Sequence, residues 1–228
     1  AVKHTFQYFL ISMILLFPLA LLLAVCLQRI KKGRMLIQFC IFMPVTLSVV
    51  VAAILWKWYI YDPNMGMVNT VLRAIGLEAA AKAWLGDAKT AMTCVILMST
   101  WHGLATWVIM LISGLDRIPP ELMEAARIDG AGTWRIFASI AMPMVKPAAL
   151  TLIIFTFQSL WNTTGGTFIY DEKIKLLPTI LNQVVTAGIA RAGSGAAASV
   201  VMMIPPFIIF IILQSRIIET MAFSGIKG

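Results

Sequence analysis

Few side chains in this 228-residue sequence are equipped for bond-making chemistry, and their spacing assembles no site for it. The two histidines, His4 and His102, lie too far apart and are too few for a metal set. Cys26, Cys40 and Cys94 sit inside apolar runs, where cysteine behaves as a small hydrophobe. No Gly-x-x-x-x-Gly-Lys-Ser/Thr loop occurs, so the chain has no phosphate cradle of its own. Gly193-Ser194-Gly195 has no strand before it and an apolar run after it, so it is no dinucleotide fingerprint. The sequence is therefore not that of an enzyme acting alone, and it calls for no cofactor and no metal. What remains is binding chemistry. Trp101 and His102, with Gln158, Trp161 and Asn162, bring aromatic faces, an imidazole and amides into apolar surroundings. Such groups suit a saccharide, whose rings offer C–H faces and rims of hydroxyls. The same groups also serve as hydrogen bonds between packed helices.

A second set is charged and amphipathic. Pro119 and Pro120 preset a helix start, and Glu121 and Glu124 fall in its first turns, where the helix dipole favours them. Leu122, Ala125, Ala126 and Asp129 follow helical spacing, Arg127 is placed to pair with Glu124, and Gly130 is a stop signal. A second helix is expected from an N-cap at Thr133 to Pro143, across a flexible Gly130-Ala131-Gly132 link.

Both sets must be positioned by apolar elements. The chain is 60% hydrophobic and 12% charged, against about 25% charged in soluble domains. Its net charge of +8 comes from loop residues, with no basic stripe interleaved with aromatics, so nucleic acid is not an expected partner. Five runs reach the roughly 20 residues that a bilayer crossing requires, and the only open solution in lipid is a helix. The expected fold is an all-α integral membrane protein of one domain, 1–228. Its spans lie at about 4–28, 35–57, 90–115, 147–170 and 192–215. Pro205-Pro206 marks the last span for a bend or break.

Arg29, Lys31, Lys32 and Arg34 crowd the turn between the first two spans and place it in the cytoplasm. The loop 116–146 then lies inside, and 58–89 and 171–191 lie outside. Asp62-Pro63-Asn64-Met65-Gly66 is a turn signal, and Val68 to Ile75 a short helix for the interface. Trp56, Trp58, Tyr59 and Tyr61 are placed for an aromatic belt in contact with membrane lipid.

Glu124-Ala125-Ala126, three residues, Gly130, nine residues, Ile140, one residue and Met142-Pro143 resembles the EAA loop of ABC-importer permeases. The only departure is Met142 where that pattern has Leu, a mild apolar exchange. Over nearly its whole length the chain resembles the maltose-type sugar permeases, and the tail Phe223-Ser224-Gly225-Ile226-Lys227-Gly228 is similar to their Gly-x-x-Lys-Gly terminus. The resemblance implies a bacterial or archaeal inner-membrane subunit that imports a saccharide. Its implied partners are an ATP-binding cassette ATPase dimer, a second homologous permease and an extracytoplasmic solute-binding protein. The helix bearing Glu121, Leu122, Glu124, Ala125, Ala126, Arg127, Asp129 and Gly130 would be the coupling helix, docked on the ATPase. Such permeases have six spans, so one N-terminal span is expected to be missing here. An ion-coupled transporter is the competing class, but its coupling needs ionisable residues inside the spans, and apart from Lys57 at the end of the second the five runs hold no Asp, Glu, Lys or Arg. A permease for a non-sugar solute is the nearer alternative.

Overall fold

The computed structural model describes residues 2–30, 32–161, 176–186 and 192–225, and in the last helix the side chains from 193 to 214. Among the described residues every regular element is helical. Four helices are long and apolar enough to cross a membrane: Val2–Arg29, Ala88–Leu115, Thr133–Trp161 and Gly193–Gln214. A bent pair, Arg34–Thr46 with Val49–Ile60, is apolar enough when taken together and forms a broken span or a re-entrant loop.

The bundle is built on α5 (Ala88–Leu115), which packs against α1 (Val2–Arg29), α2 (Arg34–Thr46) and α8 (Met142–Trp161). In α1 the buried positions Tyr8, Ser12, Leu16, Ala20, Ala24 and Leu27 recur at three- and four-residue steps, one stripe of a helix. Ala20 and Ala24 are fully buried, and their small side chains let the two backbones approach. They share a core with Trp107, Val108, Leu111, Leu115, Val145 and Leu152. Lipid is as apolar as leucine, so this packing is held by close contact and interhelical hydrogen bonds rather than by escape from water. Tyr8 donates to Ser99 Oγ at 2.6 Å, and Gln28 Nε2 donates to Asp116 Oδ1 at 2.8 Å, so α1 and α5 are pinned side by side along their length.

The second span departs from expectation. The run 35–57 is not one rod: α2 ends at Thr46 and α3 (Val49–Leu55) leaves at 103°. Pro44 weakens the end of α2, and Leu47 and Ser48 adopt extended backbone with ψ near 141° and 147°. Ser48 then caps α3, accepting from Val51 N. A π turn, Trp56–Ile60, closes the segment.

Pro143 does not stop the helix that starts near Thr133. Thr133–Ile136 (α7), a π turn at Phe137–Ala141 and α8 form one helix of 29 residues. The π turn has already shifted the hydrogen-bond ladder when Pro143 arrives without its N–H. The loop before this span is correspondingly shorter than 116–146. Gly132, not Thr133, occupies the N-cap position. In the same way α10 (Ala192–Gly225) runs unbroken through Pro205-Pro206 and past 215. The end of the fourth span, expected near 170, lies outside the described residues.

Candidate functional site

The helix α6 (Pro120–Ile128) forms where the prolines direct it, with Pro120 at its first positions and Glu121 in its first turn. Its end is a Schellman stop: Ala131 N donates to Ala126 O at 2.9 Å, Gly130 N to Arg127 O at 3.0 Å, and Gly130 has φ 78°. The link after α6 therefore begins as a defined cap rather than as flexible chain. Glu121, Leu122, Glu124, Ala125, Arg127 and Asp129 are all exposed, and Ala126 is half-buried. Glu124 and Arg127 form no ion pair with each other, which leaves both charges available to a partner. Ile118 and Met123 supply the apolar ties of this segment to the core. A cavity of about 230 Å³ separates α6 from the following helix and is lined by Ala126, Asp129, Ala131, Arg135 and Ser139, among others.

Of the residues expected to line a solute path, two spend their polar atoms on backbone. His102 Nε2 lies 3.0 Å from Leu47 O, the carbonyl left open by the α2–α3 break. Because a carbonyl only accepts, Nε2 carries the proton in this bond. Trp161 is buried, stacks on Phe157 with centroids 5.6 Å apart, and donates its indole N–H to Met202 O. Trp101 is half-buried against Trp56, with centroids 5.6 Å apart. Gln158 is half-buried and makes no hydrogen bond among the described residues, which leaves its amide open. Asn162 lies outside the described residues, as does the tail 226–228.

Sequence reasoning missed a third cluster, in the segment that joins α3 to α5. Asn69, on α4 (Met67–Ala74), is fully buried. Its Nδ2 donates to Pro63 O at 3.0 Å and Lys82 O at 2.9 Å, and its Oδ1 accepts from Trp84 Nε1 at 2.7 Å. Asp62 receives the amides of Asn64 and Met65, each at 2.9 Å. Those two N–H groups hold its carboxyl below the usual value of 3.8. A Cβ on Gly66 would collide with Asp62 O and lie 2.8 Å from Ile60 O, so this turn admits glycine alone. The turn signal was legible; Asn69, one polar residue in an amphipathic run, carried no mark of its role. Of the aromatic belt, Trp58 and Tyr59 are exposed, whereas Tyr61 is buried and donates to Cys94 O at 3.4 Å.

Similar proteins were found by sequence and by structure. A probable ABC transporter permease protein, YurN of Bacillus subtilis, is 34% identical over 174 residues, 75% of this chain and 57% of that protein. The arabinooligosaccharides transport system permease protein AraP of the same organism is 27% identical over 224 residues, 93% of this chain and 69% of that protein. The sn-glycerol-3-phosphate transport system permease protein UgpA of Agrobacterium fabrum is 29% identical over 216 residues, 90% of this chain and 70% of that protein. The chain thus spans between 57% and 70% of the length of these relatives. A chain in the crystal structure of a bacterial alginate ABC transporter, in complex with alginate pentasaccharide-bound periplasmic protein, superposes with a TM-score of 0.79 at 22% identity. The superposition covers 93% of this chain and 75% of that one. The family model for the inner membrane component of binding-protein-dependent transport systems matches residues 16–170, which include α6 and its cap. This multi-pass membrane chain belongs to the family of binding-protein-dependent transport system inner membrane components.

Proposed function

We propose that this chain is a permease subunit of an ATP-driven importer for a saccharide. The observation that carries the reading is α6: an exposed, capped helix with unpaired Glu124 and Arg127, held out from an apolar bundle. Such a helix has little to pack against within its own chain and suits a cleft on another protein. In this reading the other protein is a separate ATPase dimer, because the sequence has no phosphate loop. Closure of that dimer on ATP drives α6, and two related permease subunits rock between inward- and outward-open forms. Leu122, Ala125 and Ala126 supply packing, Glu124, Arg127 and Asp129 the polar contacts, and Gly130 the sharp exit. A solute-binding protein delivers the solute at the opposite face.

The choice of saccharide rests on the groups available. Trp101 offers a ring face and Gln158 an unspent amide. A phosphorylated or acidic solute calls for a fixed cation beside them, and neither 90–115 nor 147–161 contains Lys or Arg. The printed name of the arabinooligosaccharides permease points the same way, whereas the alginate and sn-glycerol-3-phosphate systems carry acidic solutes.

The test is purification from detergent with identification of the chains that come along. An ATPase and a second permease in stoichiometric amounts support the reading. Transport by this chain reconstituted alone sinks it. Gly130→Asp and Glu124→Lys are expected to insert normally and to abolish uptake; normal uptake by either removes α6 from the coupling role.

A further inference from the structure

The 29-residue helix Thr133–Trp161 begins at the same end of the bundle as α6 and continues without a break into the core. Its inner face is buried from Ile136 through Ala141, Val145 and Leu152, so it moves with the bundle as one rod. By contrast the apolar ties of the α6 segment to that core are Ile118, just before the helix, and Met123, and a Cβ on Gly132 would touch nothing within 4 Å. A push delivered to α6 alone is therefore absorbed where the chain is least supported. The cavity of about 230 Å³ lies between these two elements, with Asp129 on one side and Arg135 and Ser139 on the other. Neither Asp129 nor Arg135 is ion-paired, and small Ala126 and Ala131 leave the opening wide.

We propose that this cavity is a socket for a side chain of the partner ATPase, so that the drive acts directly on the Thr133–Trp161 helix through Arg135 and Ser139. The proposal rests on the importer reading above and adds a second contact to it. The cavity is concave, mixed in polarity and continuous with the exposed face of α6 through Ala126. A bilayer surface is too flat to fill such a hollow. Across 120–130 the three carboxylates Glu121, Glu124 and Asp129 outnumber the one cation, Arg127, which also disfavours an anionic leaflet. An inserted polar side chain, in contrast, meets a carboxylate, a guanidinium and a hydroxyl within one space.

The test uses the importer assembled in vesicles. Cys26, Cys40 and Cys94 are replaced by Ser or Ala, and a single cysteine is introduced as Ser139→Cys or, on α6, as Leu122→Cys. Reaction with a water-soluble maleimide is timed with and without the ATPase subunits. The proposal expects both positions to be protected about tenfold or more when the ATPase is present. It further expects Ser139→Trp, which fills the cavity, to keep the ATPase bound while lowering solute-stimulated ATP hydrolysis by a similar factor. Protection at 122 with none at 139 overturns the socket and leaves the docking of α6 standing. Protection at neither position removes the docking itself. Protection at 139 in vesicles that lack the ATPase assigns the cavity to lipid and overturns the proposal.

Discussion

The indole N–H of Trp161 donates to the carbonyl of Met202, which is the carbonyl that Pro206 leaves without a helical donor. In an α-helix Met202 O would receive the amide of residue 206, and proline has none. One side chain on α8 thus makes good a defect in α10 and fastens the two helices together. Trp161→Phe keeps the stack on Phe157 and abandons the carbonyl, and we expect a loss of about 1–3 kcal/mol. In a Pro206→Ala background the amide returns and the same change becomes nearly silent. Thermal unfolding of the four variants in detergent measures the coupling. Equal costs in both backgrounds would refute the pairing.

His102 does the corresponding work at the α2–α3 break, where Val51 N turns to Ser48 Oγ and Ala52 N to Ser48 O. Leu47 O is left to the imidazole. His102→Leu should destabilise the chain by about 1–3 kcal/mol, and His102→Gln, which retains a donor, should recover part of that loss. If Gln and Leu behave alike, packing rather than the bond holds the elbow.

Asn69 is the hub of the segment between α3 and α5, with its amide satisfied on both atoms. Asn69→Ala strands the carbonyls of Pro63 and Lys82 and the indole of Trp84, and we expect a cost of about 2–4 kcal/mol confined to residues 61–87. Protease susceptibility of that segment, compared with that of the spans, reports where the damage lies.

Asp62 adds a pH dependence of definite sign. Its folded pKa lies below the ordinary 3.8, so it contributes stability above that value and loses the contribution as pH falls through the lower, folded value. Asp87, whose carboxyl receives Lys89 N and lies beside Lys82, behaves in the same direction. Hydrogen exchange at the Asn64 and Met65 amides should accelerate on acidification below the ordinary carboxylate range, and Asp62→Asn should flatten the response.

Much of this molecule is legible in the sequence because lipid leaves a chain few choices. The apolar runs at 4–28 and 90–115 return as α1 and α5 within two residues at either end. The Pro-Pro start and Gly130 stop of α6 are local chemistry, and local chemistry decided them. Proline is less legible, at three places. At Pro143 and Pro206 the helix is not broken, because a π turn before one and Trp161 beside the other absorb the missing amide. Near Pro44, which suggests a kink in a run that reads as one span, the chain turns by 103°, and the donor that makes this tolerable, His102, is 55 residues away. Sequence separation also hides why Trp161 and His102 look like ligand groups. Their polar atoms are spent on backbone that only the folded chain brings near.

Both ends of α3 meet α5 at one level: Leu47 O at His102 and the Trp56 ring at Trp101. The seven residues of α3 therefore travel sideways rather than across. At 13 residues α2 is about 20 Å long, against roughly 30 Å of hydrocarbon. Above the elbow the barrier is completed not by a rod but by a shelf, with Val49, Val50 and Ile54 along its exposed edge. Tilting a shelf changes the thickness of the barrier over a wide area for a small rotation at its hinge. A rigid span would have to be withdrawn to do the same.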